Sequence, residues 1–214
     1  MQRPHPMHNL QSKLPPLLLK ILAIGLASLA ALGRAVADDP SERSILATQA
    51  NTGFYAALAP GRSSERFDIG AAAHTASHEI SGNPLGLQIA AGYRPLPAWS
   101  GEADYVRLGR ISSGHSRATI DGLMLSALGY LPTPVLNLYG RVGLFDARMY
   151  GAYEEPGVPH SIPVHHHNTN LAFGVGLTTN FARSFNVRLE SQGFQVTHAK
   201  NTSLVSIAFV WSFL

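Results

Sequence analysis

The chain ends on Leu204-Val-Ser-Ile-Ala-Phe-Val-Trp-Ser-Phe-Leu214, and this stretch restricts the fold more than any other. Val205, Ile207, Phe209, Trp211 and Phe213 take alternate positions, with Ser206, Ala208, Val210 and Ser212 between them. A strand sends successive side chains to opposite faces, so one face is large and apolar and the other small. A soluble antiparallel strand with its large face in a core has the same period. Aromatics at the end of the stripe fit a strand crossing lipid instead, its last rings at the interface and its small face toward a narrow lumen. Such a strand must pair on both sides, because an open sheet edge is not tolerated in hydrocarbon. The stretch therefore predicts a closed barrel.

The opposite end of the chain reads as a processing segment. Arg3, Lys13 and Lys20 precede an apolar run from Ile21 to Leu32, and Ala35-Val-Ala37 supplies a small-x-small cleavage site. The run is shorter than the ~20 residues a membrane helix needs. Residues 1–37 are thus expected to be a cleavable signal peptide, 38–52 a short polar lead-in and 53–214 the barrel. Losing Arg3, Lys13, Lys20 and Arg34 takes the balance from 16 basic against 13 acidic residues to 12 against 13, so the formal net charge moves from +3 to −1. The electrostatic motive for nucleic-acid binding goes with it. The chain has no cysteine, so disulfides play no part in its stability.

Between these ends lie short β-like segments. Phe54–Ala59 is the first, followed by a long polar stretch from Gly61 to Pro84. Leu85–Arg94 is the second, stopped by Pro95-Leu-Pro97, since proline cannot continue a paired ladder. Glu102–Arg110 is the third, and Ile111–Asp121 reads as a connection. Gly122–Leu131 is the fourth, closed by Pro132-Thr-Pro134, and Val135–Phe145 the fifth. Arg148–Asn168 is a long irregular stretch with three prolines and four histidines. Thr169–Phe181, Phe185–Val196 and the terminal strand complete eight. Connections after the second, fourth and sixth segments are short and the others longer, the alternation expected of periplasmic turns and outer loops. The fold class read from this is all-β, an eight-stranded antiparallel up-and-down transmembrane β-barrel.

Several segments carry a family likeness. Gly53-Phe-Tyr-Ala-Ala looks like a first strand; Gly92-Tyr-Arg, a proline-containing turn and Gly101-Glu-Ala-Asp-Tyr-Val-Arg-Leu-Gly-Arg110 look like strands two and three. Leu128-Gly-Tyr130 with Leu136-Asn-Leu-Tyr-Gly-Arg-Val-Gly143, and Gly174-Val-Gly176 with Val187-Arg-Leu-Glu190, continue the series. In order and spacing the chain resembles the transmembrane domain of outer-membrane protein A and its small-barrel relatives. The resemblance implies an outer-membrane location in a Gram-negative-type cell. Nothing after Leu214 matches the peptidoglycan-binding domain of longer members, so cell-wall tethering is not expected.

Strand parity places the charges. With Leu136, Leu138, Val142 and Leu144 outward, Arg141 faces the lumen; with Phe185, Val187 and Leu189 outward, Arg188 and Glu190 do. The resemblance puts Glu102 and Asp104 inward as well. Glu102, Asp104, Arg141, Arg188 and Glu190 form the candidate lumen cluster, with formal charges −3 and +2. Confined charges must be paired, hydrogen-bonded or wet. The cluster is therefore either a plug in a barrel narrow enough to be filled by side chains or the gate of a small porin-like channel.

Of the 10 histidines, His160, His165, His166 and His167 form a local group and are candidate metal ligands. They lack the acidic or thiol partners at defined spacing that closed sites carry, so no metal and no cofactor is expected. Lipid A deacylases of the outer membrane carry a His-x-Ser-Asn segment with a later Glu. His166-His-Asn168 and Glu190 echo it faintly, but Thr169 and Asn170 follow where the serine is needed. The chain is therefore not expected to be an enzyme, and a lipid A-modifying activity ranks behind a channel. The leading expectation is a monomeric structural and surface-interaction protein with exposed loops, for adhesion, host contact or envelope integrity. Its expected partners are outer-membrane lipid and lipopolysaccharide, and an extracellular ligand or host surface met through the loops.

Overall fold

The computed structural model describes residues 52–69, 73, 78–113, 116–132, 136–154, 161–182, 184–197 and 199–213. Its elements are β1 (Gly53–Asp68), β2 (Glu79–Gly82), β3 (Leu85–Leu96), β4 (Trp99–Ser113), β5 (Ser116–Pro132), β6 (Asn137–Glu154), β7 (Ser161–Ala182), β8 (Phe185–Phe194) and β9 (Ala199–Ser212). All pairings are antiparallel, each strand from β3 to β8 pairs with the next, and β1 pairs with both β3 and β9. Eight strands therefore close an up-and-down barrel, and the terminal stripe finds its second partner in β1, with Ala56 opposite Trp211 and Leu58 opposite Phe209. The short β2 adds a hairpin arm to the far part of β1, with Asp68 opposite Glu79.

One end of the barrel carries the short connections β3–β4, β5–β6 and β7–β8; we call it the turn end. The other we call the extended end. Three stretches expected to be loops are strand there instead. β1 runs to Asp68 and folds back as β2, β4 and β5 meet across Ser113 and Ser116, and β6 and β7 pair out to Glu154 and Ser161. At about 3.3 Å per residue, the 22 residues of β7 are roughly 70 Å long. A tilted strand needs only ~9–11 residues to cross a bilayer. The sheet consequently continues well past the membrane.

The lipid-facing zone is marked by outward side chains. Phe54, Leu58, Ile89, Tyr93, Trp99, Leu125, Val142, Phe173, Phe209 and Trp211 are all exposed. At the turn end the rings cluster: Phe54 lies on Tyr93, and Phe185, Trp211 and Phe213 stack in sequence. This is the aromatic girdle of a membrane interface.

Two glycines have specific steric work inside. A Cβ on Gly92 would lie 2.2 Å from the Tyr55 ring and one on Gly176 2.4 Å from the Tyr139 ring, so each tyrosine lies across a bare patch of wall. A third glycine re-aims β4. Gly109 has φ +107° and sits at a register shift between Arg107 and Gly109, which turns Leu108 and Gly109 both inward. Simple alternation would point Arg110 into the barrel; the bulge sends it outward.

Candidate functional site

Glu102, Asp104, Arg141, Arg188 and Glu190 all point inward at the turn-end half and are buried. Arg141 is the hub. Its Nη2 meets Glu102 Oε2, its Nη1 donates to Asp104 Oδ2 at 3.2 Å, and its Nε lies 2.8 Å from Glu190 Oε1. That last contact pairs charges without aligning the N–H for a hydrogen bond. Arg188 donates from Nη1 to Glu102 Oε1 at 2.7 Å, and its guanidinium lies 5.1 Å from the Tyr139 ring centre. Two cations thus hold three carboxylates. Neutral groups complete the network: Tyr55 donates to Glu102 at 2.7 Å, Gln88 to Asp104 at 2.9 Å, and Gln192 to Gln88 at 2.6 Å. Toward the turn end, Arg94 covers the Tyr130 ring at 3.9 Å and bonds the Pro97 carbonyl. A cavity of about 20 Å³ lies there, bordered by Tyr55, Arg94, Asn186 and Arg188.

Gln88 and Arg94 had a readable signal. Both fall on the parity opposite Leu85, Leu87 and Ile89 in β3.

Past this network the interior changes character. Phe67, Ile80, Val106, Leu108, Ile120, Met124, Phe145, Phe194 and Leu204 are buried together in one apolar cluster inside the extended end. Within it Glu65 is a buried carboxyl held by the Ser63 hydroxyl at 2.8 Å. It lies three residues beyond Arg62, where the outward face of β1 has already turned charged. Burial pushes its pKa up to about 7, against the lowering effect of the Ser63 bond.

The histidines are not gathered as a metal site. Consecutive residues of β7 alternate, so His165 and His167 face outward while His166 takes the inward parity. Among the described residues no group of three or more His, Cys, Asp or Glu side chains is placed to hold a metal. His160 lies outside the described residues. His165 sets its ring edge-on to Tyr150, and His167 Nε2 lies 2.6 Å from Asp146 Oδ1. Thr169 donates to the same oxygen at 3.1 Å. Slight desolvation would raise the Asp146 pKa, but the bonds from His167 and Thr169 and the Arg148 charge hold it below its ordinary value. The deacylase echo is not assembled either. Glu190 sits in the lumen network opposite Gly176, ten residues along β7 from His166.

A groove of about 370 Å³ opens where β8 stops at Phe194 while β7 runs on, lined by Asn170, Phe173, Phe194, Val196 and Thr202 among others.

Comparisons with known proteins agree with this architecture. The OmpA-like transmembrane domain matches residues 48–205. No curated protein matches the chain. Among solved structures, neisserial surface protein A aligns at 15% identity with a TM-score of 0.58, over 76% of this chain and 98% of that one. Ail, the attachment invasion locus protein of Yersinia pestis, solved in complex with the heparin analogue sucrose octasulfate, aligns at 13% identity with a TM-score of 0.50, over 75% and 99%. A closed eight-stranded barrel with an apolar girdle, matched over most of its length, makes the chain an outer-membrane barrel that belongs to the OmpA-like transmembrane domain family.

Proposed function

We propose that this protein is a non-conducting scaffold that holds a stiff β extension above the outer membrane for contact with the surroundings, in adhesion, host contact or envelope integrity. The extended end faces outward and the turn end faces the periplasm. One observation carries the reading: among the described residues the ion network occupies one half of the interior and the buried apolar cluster of Phe67, Phe145 and Leu204 the other. Water and ions cross a barrel through a polar path, and a close-packed apolar section has none. The surface role draws support from neisserial surface protein A and from Ail, whose structure holds a heparin analogue. Residues 1–37 serve as the export signal, with cleavage after Ala37; amino-terminal sequencing of the membrane form tests this. Planar-bilayer recording of the purified, folded barrel tests the main reading. A silent bilayer is expected. Repeatable unitary conductance, altered by neutralising Arg141 or Arg188, would establish the channel instead.

A further inference from the structure

The outer wall just past the apolar zone carries a concentration of positive charge that the scaffold does not use. Arg62, Arg66, Arg107, Arg110, Arg117 and Arg148 all face outward, exposed, on the extended side. Within the described residues none of the six is ion-paired. Outward positions of the described residues around the turn end carry no charge at all.

On the β4–β7 face the charges fall in register. Arg107 is opposite Asp121, Asp121 opposite Arg148, and Arg148 opposite His167. At about 4.8 Å per strand, the two arginines stand roughly 10 Å apart along this row. Two rows toward the turn end lie Ala103, Leu125, Leu144 and Leu171, all exposed and uncharged. The row between supplies Tyr105, Leu123, Asp146 and Thr169. Tyr105 of this row donates to Asp121 at 2.9 Å, while Thr169 of the same row and His167 of the arginine row hold Asp146. Asp121 keeps one oxygen without a hydrogen-bond partner and the Arg148 charge acts on Asp146, but neither acid is within ion-pair distance of Arg107 or Arg148, so both guanidiniums stay open to a group outside the chain.

We propose that Arg107 and Arg148, flanked by His167, form a docking row for the phosphate groups of an outer-leaflet lipopolysaccharide whose acyl chains lie against Leu123, Leu125, Leu144 and Leu171. The guanidinium fork matches phosphate geometry and binds it by charge-assisted hydrogen bonds. The row sits where the headgroup of a lipid packed on the apolar wall must lie, so a lipid is the occupant that the position selects over a soluble polyanion. This assignment rests on the outward orientation of the extended end proposed above.

The test uses the full folded chain in phosphatidylcholine vesicles. The temperature at which the compact band converts to the unfolded band on gels is followed as lipopolysaccharide is titrated in. Lipopolysaccharide is expected to raise that temperature, and the same lipopolysaccharide stripped of its phosphates is not. The double variant Arg107→Gln/Arg148→Gln is expected to fold and to need at least tenfold more lipopolysaccharide for the same rise. Arg62→Gln/Arg117→Gln removes equal charge away from the row and is expected to respond like the parent. A rise with stripped lipopolysaccharide, an unimpaired Arg107→Gln/Arg148→Gln response, or an equal loss in the Arg62→Gln/Arg117→Gln control would each overturn the proposal. An equal rise with inorganic phosphate or heparin would move the site to a soluble anion and also overturn it. Failure of the orientation shows separately: with Tyr150→Cys in the otherwise cysteine-free chain, whole cells would not label with an impermeant maleimide.

Discussion

The two halves of this barrel are built with opposite polarity. Around the turn end the outside is aromatic and aliphatic and the inside holds Glu102, Asp104, Arg141, Arg188 and Glu190. Around the extended end the outside carries arginines and the inside is Phe67, Leu108, Phe145 and Leu204. The reason is the solvent. In hydrocarbon the outer face must be apolar, so polar groups can be placed only in the lumen, where they must satisfy one another. Above the membrane the outer face meets water, and the wall folds like a soluble sheet with its apolar face in a core. The strands pass from one regime to the other without a break, and the reversal occurs within a few residues: Asp104 faces the ion network and Val106 the apolar cluster.

The contrast gives each half its own weak point. The largest effect is expected from Arg141→Leu. Removing the hub leaves Glu102 with Arg188 and takes from Asp104 and Glu190 the cation each is paired with, and breaking a buried pair on one side costs about 3–5 kcal/mol. Urea unfolding of the barrel in vesicles measures it, and a loss below about 1 kcal/mol would mean the network is wet. Phe145→Ala is next. It empties the centre of the apolar half and is expected to cost about 3 kcal/mol by the same assay.

The buried acid of the extended half brings pH into the comparison. Glu65 has a folded pKa of about 7 against an ordinary 4.5, so the folded state holds the proton more tightly than the unfolded one. Its contribution is fully present below the unfolded value of 4.5 and is lost as pH rises through about 7. The loss is roughly 1–3 kcal/mol, one pKa unit being about 1.4 kcal/mol. Glu65→Gln is expected to flatten stability between pH 5 and about 8, measured by urea midpoints across that range; a parent slope that survives the substitution would assign the titration to another group. The smallest effect belongs to the exposed contact: His167→Asn is expected to leave the urea midpoint unchanged, because a solvated polar contact contributes little.

The same inversion decides what was legible in the sequence. Where the wall faces lipid, large apolar residues on one parity marked it: Val205 to Trp211, Leu138 to Leu144 and Leu171 to Val175 all lie in strands. The inward position of Arg141 follows from the β6 stripe by elimination, and those of Arg188 and Glu190 from Phe185, Val187 and Leu189 in β8. Past the membrane the stripe changes sides. In Arg62-Ser-Ser-Glu-Arg-Phe-Asp68 the exposed members are Arg62, Ser64 and Arg66, and the buried ones Ser63, Glu65 and Phe67. A reading tuned to outward apolar residues takes that pattern, and those of 111–121 and 148–168, for polar loops. The bulge at Gly109 was hidden for a different reason, since a single extra residue leaves no trace in a short alternating run. The three consecutive histidines lie on one strand, so His166 takes the parity opposite to His165 and His167, as alternation dictates.

The claim that the barrel is lipid-facing below, water-facing above and closed inside can be tested on one strand, in a chain with no native cysteine. On β6, Val142 faces outward in the apolar zone, Ala147 faces inward in the apolar cluster, and Tyr150 faces outward beyond the membrane. Single variants Val142→Cys, Ala147→Cys and Tyr150→Cys, exposed on whole cells to a membrane-impermeant maleimide, should label only at position 150, with 142 and 147 reacting after unfolding. Labelling of Ala147→Cys as fast as Tyr150→Cys would mean that water fills the extended half, and would contradict the closed barrel.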